Sequence, residues 1–256
     1  MARDTKKIVK PRWKLWLGVA TLGAAGVSTA IAGLQVRQFA LSSPRFILSR
    51  DHAGSLTVEG LQYTSRSKVQ RIFAADFSRS IFGIPLAERR RRLLAIDWVE
   101  DASVSRVWPD RVVVRIRERR PVAFVWVRSG VLLIDAAGVL LDQPAQAQFT
   151  FPVLRGIRDD EPESRRRERV RAFLEFQRAM GGLVKDISEV NVTDPDNLRV
   201  VAHVENRAIE LTLGDDNFAR RFQSFLNHYP EIRKRSPGVA AFDLRLDDRI
   251  TATSRE

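Results

Sequence analysis

Residues 98–118 read WVEDASVSRVWPDRVVVRIRE and combine two β-strand patterns with a turn between them. In the second half, apolar side chains alternate with basic ones, which is the pattern of a strand with one buried and one solvent-facing side. The intervening Trp108-Pro109-Asp110 is typical of a turn. The stretch therefore predicts a hairpin with strands at 98–107 and 111–118.

The residues upstream of this hairpin supply one more strand and two helices. An alternating stretch at 56–58 ends at Gly60, and Thr64 or Ser65 can cap a helix whose apolar residues share one face. Pro85 suits the first turn of a second helix. The resulting order, β-α-α-β-β, predicts a small α+β unit.

Downstream of the hairpin, the patterns predict a second, mixed α/β domain. Its connections are short, so we expect a mainly antiparallel sheet. The expected strands lie at 122–127, 131–141, 187–192, 198–204, 208–213, 242–246 and 249–253. The expected helices lie at 163–180 and from Asp215 or Asp216 to Pro230, where the proline ends the second one. The fold class of the whole chain is therefore α+β.

Near the N-terminus, 22 residues without a charged side chain occupy positions 15–36. A helix of that length reaches about 33 Å and can cross a hydrocarbon core of about 30 Å. Six basic residues and one acidic residue precede it, which predicts a cytoplasmic N-terminus and external domains. A cleaved signal ending near Ala30-Ile31-Ala32 is the alternative. The run exceeds the roughly 7 to 15 apolar residues of a signal core, which favours a retained transmembrane helix.

Small residues recur every fourth position inside this run. Ala20, Ala24, Ser28 and Ala32 form a stripe of the kind on which another transmembrane helix packs closely. The general abundance of Ala and Gly in the run explains the same pattern without a partner.

The composition argues against catalysis. The chain contains no Cys, so disulfides, a thiolate nucleophile and a thiolate metal site are excluded. His52, His203 and His228 lack metal-ligand spacing, and no Gly-x-Ser-x-Gly, phosphate-loop or Ser-x-x-Lys motif occurs. We therefore predict no enzyme, no metal or cofactor site and no small-molecule substrate.

The net charge of +12 suits contact with anionic lipid, anionic wall polymer or an acidic protein. Nucleic acid is not an expected partner outside the membrane. The basic clusters at 89–92 and 165–167 are interpreted as solvated helix faces rather than polyanion sites.

Both predicted domains contain short sequence motifs that point to a known family. In the first they are Val58-Glu59-Gly60, Pro85-Leu86, Trp98-Val99, ASVSRVWP at 102–109, Val112-Val113-Val114 and ERRPVA at 118–123. Together they resemble the POTRA domain of the bacterial cell-division family FtsQ, also called DivIB. The strand-loop-helix pattern at 209–230 and Asp243-Leu244-Arg245 resemble the β-domain of the same family.

The resemblance implies a domain order and a cellular role. The order is a basic cytoplasmic tail at 1–14, a transmembrane helix at 15–36, a connector at 37–45, a POTRA domain at 46–121 and a β-domain at 122–256. The role is a non-enzymatic scaffold at the division septum, held in the cell inner membrane by a single span, with its domains in the periplasm. It would recruit and link division proteins by β-strand addition and helix contacts.

The resemblance also implies partners. FtsB and FtsL would bind the edge of the β-domain. FtsK would bind the POTRA domain, where the strand at 56–60 is the candidate contact. Septal synthase components are further implied partners. An edge strand offers unpaired backbone groups for strand addition, so the last strand is the candidate; a strand that merely closes the sheet is the alternative. By position the candidate residues are Arg245, Leu246, Asp248, Arg249, Ile250, Thr251, Ala252 and Thr253. Leu246 stands where the family commonly has an aromatic residue.

Two other function classes are compatible with parts of the pattern. A POTRA-type chaperone of protein export or outer-membrane assembly also uses strand addition, but it requires many further alternating segments of about ten residues, which do not follow residue 121. A secreted cell-wall-modifying enzyme would need a catalytic constellation that the sequence does not provide.

Overall fold

The structure is a computed structural model that describes residues 13–52 and 54–253. Its α-helices are α1 (Trp13–Ser42), α2 (Arg66–Ile72), α3 (Leu86–Leu94), α4 (Glu163–Met180) and α5 (Phe218–Arg235), with 3-10 turns at Pro44–Phe46, Ile81–Gly83 and Gly181–Asp186. Its strands are β1 (Leu56–Glu59), β2 (Val99–Val107), β3 (Arg111–Glu118), β4 (Pro121–Val127), β5 (Gly130–Asp135), β6 (Leu140–Leu141), β7 (Val153–Arg155), β8 (Ile187–Asn191), β9 (Leu198–Val204), β10 (Arg207–Gly214), β11 (Ala241–Asp243) and β12 (Thr251–Ala252).

The described residues divide into two compact units. The N-terminal unit comprises 13–60, 65–93 and 102–116, and the C-terminal unit comprises 61–64, 94–101 and 117–253. The short segments at 61–64 and 94–101 thus belong to the larger unit, although in sequence they lie between parts of the N-terminal unit.

The predicted β-α-α-β-β order of the first unit is confirmed. Its sheet has the order β1-β3-β2, and β1 runs parallel to β3, with Val58 opposite Val114. Because side chains alternate along β3, Val112, Val114 and Ile116 lie on the buried face of the sheet, as the sequence predicts. Gly60 follows β1 at φ 83°, and a Cβ there would collide with the Ile116 carbonyl oxygen. Only glycine fits this position, which accounts for the Val58-Glu59-Gly60 motif.

Arg89 of α3 forms a buried ion pair with Asp76, which follows α2. The Arg89 Nε and Nη2 atoms donate to the two Asp76 carboxylate oxygens at 2.6 and 2.8 Å. Arg89 was predicted to lie on a solvated helix face, and this is wrong, because its side chain is only 6% exposed. The second cluster is also not uniformly solvated, since Arg166 donates to the Gly138 and Glu161 carbonyl oxygens.

Helix α1 extends beyond the uncharged run. The sequence predicted no regular structure at 37–45, whereas α1 continues through Ser42 and a 3-10 turn follows at Pro44–Phe46. Among the residues that the structure describes, no helix combines the length and apolar character needed to cross a membrane. The span at 15–36 stays a prediction. So does the small-residue stripe: Ser28 and Ala32 are exposed on α1, and Ala20 and Ala24 lie outside the residues with described side chains.

The C-terminal unit is built on one nine-stranded sheet with the order β12-β11-β10-β9-β8-β7-β4-β5-β6. Most of its neighbouring strands are antiparallel, as predicted. The pairs β10–β11, β7–β8 and β4–β7 are parallel, and α5 and α4 provide the crossovers for the first two.

Both long helices cover the same face of this sheet. Alternate residues of β9 and β10 are buried against them, including Val200, Leu211 and Leu213. Phe176 of α4 lies at 5.3 Å from Phe218 of α5 and joins the two helices, and Phe225 of α5 lies at 5.2 Å from Phe242 of β11 and joins the helices to the sheet. The amphipathic pattern of each helix therefore produces the main core of the unit.

The ERRPVA motif forms a clamp inside the C-terminal unit. The Glu118 carboxylate accepts hydrogen bonds from the backbone N–H groups of Gln62, Tyr63 and Thr64 at 3.1, 2.8 and 2.6 Å. Arg119 donates to the Asp97 carbonyl oxygen at 2.9 Å and pairs with Asp135 at 2.8 Å. The motif therefore holds the two short upstream segments on the larger unit.

Some expectations about the C-terminal elements are wrong, and the strand expected at 242–246 ends at Asp243. The second long helix does not end at Pro230 but continues to Arg235. Proline removes one backbone hydrogen bond, yet Tyr229 before it is buried and Ile232 after it packs on the core, which keeps the helix in place. The structure also contains β7, which the sequence did not predict.

Candidate partner-binding edge

Strand β12 is a terminal strand of the nine-stranded sheet. It pairs with β11 in antiparallel fashion, with Phe242 opposite Ala252 and Asp243 opposite Thr251. Both of its residues are exposed, as is Thr253. One long side of β12 is therefore free of any described strand, as the position of the last strand in the sequence predicted.

Successive residues of β12 direct their backbone N–H and C=O groups to opposite sides of the strand. Thr253 donates its N–H to the Ala241 carbonyl oxygen at 2.9 Å, so this residue faces β11. Because antiparallel residues alternate, Thr251 also faces β11, while the N–H and C=O of Ala252 point away from it. Ala252 is therefore the residue at which an added strand would find a free donor and a free acceptor.

The opposite edge of the sheet is different. There, Leu141 of β6 is fully buried and packs with Trp98 and Leu133, with Phe149 and Phe151 against the same cluster. The other residue of β6, Leu140, is half-buried, whereas both residues of β12 are exposed. β12 is the more accessible of the two edges.

Arginine–aspartate pairs fix the loop between β11 and β12. Arg245 donates to the Asp243 carboxylate at 2.7 and 3.0 Å, and this lowers the pKa of Asp243 below its usual range. Asp247 pairs with Arg221 of α5 at 3.0 Å and also with Arg220. The loop is therefore tied to the strand before it and to α5.

A groove of about 560 Å³ lies between α5 and this loop. Its apolar lining comes from Ile232, Leu244, Leu246 and Ile250, and its polar lining comes from Arg220, Arg221, Ser224, His228, Asp247, Asp248 and Arg249. Leu246 is 50% exposed, so an apolar side chain faces solvent at the mouth. The groove thus places apolar, basic and acidic side chains beside the free edge.

The structure brings the predicted site residues together in one region, but not as one strand. Only Thr251 and Ala252 form β12, and Thr253 follows it. Arg245, Leu246, Asp248, Arg249 and Ile250 lie in the loop, so the predicted strand at 249–253 is too long. Ile250 also packs against the core, which limits its availability to a partner.

The sequence missed the contribution of α5 to this region. Ser224, His228 and Ile232 line the groove from the helix, whereas all the site residues predicted from the sequence lie at 245–253. A spacing of four residues between each of them places them on one side of a helix. That spacing is the signal that could have indicated a second exposed face.

The sheet of the first unit also has two outer strands. β1 and β2 are the outer strands of its sheet, and β1 contains most of the residues assigned above to the FtsK-type contact. Glu59 of β1 pairs with Arg115 at 2.9 Å on the exposed side.

Catalytic and metal chemistry finds no support within 13–52 and 54–253. No group of three or more His, Asp or Glu residues there is arranged to hold a metal ion. His228 lies in the groove with Nδ1 at 2.7 Å from the Ser224 carbonyl oxygen, and His203 lies on the open face of the sheet.

Comparison with known proteins first defines the class. Residues 52–119 match the family described as "POTRA domain, FtsQ-type", and residues 124–245 match "Cell division protein FtsQ/DivIB, C-terminal". The chain is thus a POTRA-bearing protein with the β-domain of a cell-division component. It belongs to the FtsQ/DivIB family of cell-division proteins.

Individual relatives agree with this assignment. Proteins named "Cell division protein FtsQ" from Koribacter versatilis and Alcanivorax borkumensis are 35% and 32% identical over 231 and 178 residues. These alignments cover 88% and 68% of this chain, and 67% and 64% of the relatives. The Shewanella oneidensis protein is 25% identical over 92% of this chain and 84% of its own length.

A solved structure is also similar. It is the major extracytoplasmic domain of the trans isomer of the cell-division protein DivIB from Geobacillus stearothermophilus. The alignment covers 45% of this chain and 92% of that chain, at 24% identity and a TM-score of 0.27.

Proposed function

We propose that this chain is a membrane-anchored, non-enzymatic scaffold of the bacterial division complex that binds FtsB and FtsL at the β12 edge. The observation that carries the proposal is the free Ala252 backbone on an exposed terminal strand in a chain of the FtsQ/DivIB family. A partner strand can extend the sheet there, because main-chain hydrogen bonds provide affinity and alternate side chains provide specificity.

The groove beside β12 supports a second contact with the same partner. A segment leaving the added strand reaches Leu246 and Ile232 with apolar side chains and Arg249 with an acidic one. Charged pairs at the rim of an interface increase the association rate and fix its register. We therefore propose a partner with acidic residues next to an extended segment.

Anchoring is the second part of the proposal. The 22 uncharged residues at 15–36 and the basic residues before them support a single span with a cytoplasmic N-terminus. The domain order is then a tail at 1–14, a connector at 37–45, a POTRA domain at 46–121 and a β-domain at 122–256. The two domains lie in the periplasm at the septum of the inner membrane.

Further division proteins are assigned to the first unit. The outer strand β1 offers backbone groups to FtsK, and septal synthase components join through the assembled complex. The stripe of Ala20, Ala24, Ser28 and Ala32 provides a contact surface for another transmembrane helix.

A proline substitution at Ala252 tests the strand addition. Ala252→Pro removes the outward N–H without removing the bonds that face β11, and the extended Thr251 before it suits a following proline. The lost hydrogen bond and the unsatisfied partner carbonyl cost about 1.5 to 3 kcal/mol. This corresponds to about tenfold to hundredfold weaker binding.

The measurement is the amount of FtsB and FtsL that co-purifies with the tagged full-length chain. Ala252→Val is the matched control, because it adds a β-branched side chain but keeps the N–H. Retention by Ala252→Val and loss by Ala252→Pro support the proposal. Equal retention by both variants contradicts it, and equal loss indicates side-chain crowding instead of backbone pairing. A diffuse envelope signal of a fluorescent fusion, instead of a midcell band, would argue against the division role.

A further inference from the structure

Four aromatic rings form a connected cluster in the N-terminal unit. Phe46 lies at 6.2 Å from Phe39, 5.2 Å from Phe82 and 5.8 Å from Trp108 between ring centroids. Phe82 and Trp108 are 5.6 Å apart and meet edge to face. We call these four residues the aromatic foot.

The aromatic foot does not belong to the core of its unit. Phe39 is 61% exposed and Trp108 is 67% exposed, and neighbouring Leu41 also faces solvent. The sequence placed Trp108 in a turn, and its ring is mostly exposed to solvent. A contiguous exposed apolar patch of this kind is typical of a surface that contacts another phase or another molecule.

Hydrogen bonds hold the aromatic foot in a fixed arrangement. Ser80 donates its hydroxyl to the Ala40 carbonyl oxygen of α1 at 2.7 Å. Arg106, two residues before Trp108, donates to the Ile81 and Ile84 carbonyl oxygens at 2.6 and 2.7 Å. The end of α1, the 3-10 turn at Ile81–Gly83 and the β2–β3 turn are thereby joined around the rings.

The position of the aromatic foot along α1 indicates what it contacts. The uncharged run ends at Val36, and Phe39 and Leu41 follow on the same helix, about 4.5 and 7.5 Å further along its axis. Each interfacial layer of a bilayer is about 5 to 8 Å deep beyond the hydrocarbon core. If 15–36 spans the core, Phe39 and the rings that touch it lie at the level of the headgroups.

The chemistry of the surrounding residues fits the same level. Trp and Phe are preferred where one side of the ring is apolar and the other is wet. Arg45 next to Phe46, Arg79 and Arg37 are exposed and can meet anionic headgroups, while Asp110 is the acidic residue of the β2–β3 turn.

We propose that the aromatic foot binds the phospholipid surface of the outer leaflet and holds the POTRA-type unit against the membrane. The proposal rests on the membrane anchoring proposed above. It adds a second, peripheral membrane contact, which limits the rotation of the first unit about the end of α1.

Spin labels in the full-length chain test this contact, because the chain has no native Cys. One nitroxide is placed at Asp110→Cys in the β2–β3 turn. The control is placed at Arg115→Cys, about 13 Å along β3 from its first residue, Arg111. Removing the exposed Arg115–Glu59 pair has little effect on stability. The probe is a vesicle of phosphatidylethanolamine and phosphatidylglycerol.

The accessibility of the nitroxide to dissolved oxygen, divided by its accessibility to a water-soluble nickel chelate, increases where the label contacts lipid. We expect this ratio to be several-fold higher at 110 than at 115. Adding Phe39→Ala and Trp108→Ala should reduce the ratio at 110 to that at 115, while Trp126→Ala, which removes an exposed Trp outside the aromatic foot, should not.

Each contrary outcome has a defined meaning. Equal ratios at 110 and 115 in a chain that floats with the vesicles overturn this inference and leave the anchor intact. A chain that does not float with the vesicles overturns both. A change at 110 that appears only when FtsB and FtsL are added assigns the aromatic foot to a protein partner and also overturns the inference.

Discussion

The buried Asp76–Arg89 pair makes the first unit sensitive to a single substitution. Both hydrogen bonds of the pair are shorter than 2.9 Å, and the side chains are 0% and 6% exposed. The Asp76 carboxylate also raises the pKa of Arg89. Asp76→Ala leaves the guanidinium in the interior, where Glu88, at 3.4 Å, is its remaining acidic partner among the described residues.

Breaking one side of a buried pair costs about 3 to 5 kcal/mol, because a charge is left without compensation. At a urea slope of about 1.5 kcal/mol per molar, a loss of 3 kcal/mol lowers the unfolding midpoint by about 2 M. The double substitution Asp76→Ala with Arg89→Met should be less destabilising than Asp76→Ala alone, because it removes the uncompensated charge.

The assay is amide exchange of peptides from α2 and α3 across a urea titration of the full-length chain. This readout follows the first unit by itself, since two units need not unfold together. Glu59→Ala is the control, because it breaks an exposed pair worth about 0 to 1 kcal/mol. A midpoint for Asp76→Ala within about 0.5 M of this control, which is less than 1 kcal/mol at the same slope, would refute the desolvated pair.

Two further predictions concern the C-terminal unit. Arg245 lowers the pKa of Asp243 in the folded chain, so the stabilisation from this carboxylate is complete above its unfolded pKa of about 3.9 and is lost as pH falls through the lower folded value. Amide exchange in 244–253 should accelerate in that pH range. The substitution Asp243→Asn should remove this pH dependence. Glu118→Ala should destabilise the segment at 62–64 by about 3 kcal/mol, because three backbone N–H groups lose a charged acceptor; faster exchange of those amides is the check, and unchanged exchange would contradict the clamp.

Much of the secondary structure could be predicted because its pattern is local. The alternation in 111–118 and the helical spacing in 163–180 match β3 and α4 at both ends. Strand β7 has only three residues and depends on β4 and β8, which are distant in sequence. No local pattern carries that information.

The candidate site could be predicted in position but not in detail. The last strand is at an edge, as its place in the sequence indicated, but only two of its five predicted residues form a strand. Asp247 pairs with Arg221, which is 26 residues earlier, and this contact holds the loop against α5. Such a long-range pair is invisible to periodicity, so the groove was missed.

Amide exchange at Ala252 tests the central claim most directly. In the full-length chain, the Ala252 N–H faces away from β11 and should exchange rapidly. Binding of FtsB and FtsL should slow its exchange by about twofold to tenfold, since a new strand bond of about 0.5 to 1.5 kcal/mol forms there. Unchanged exchange at Ala252, with new protection on β6 or elsewhere, would contradict the account.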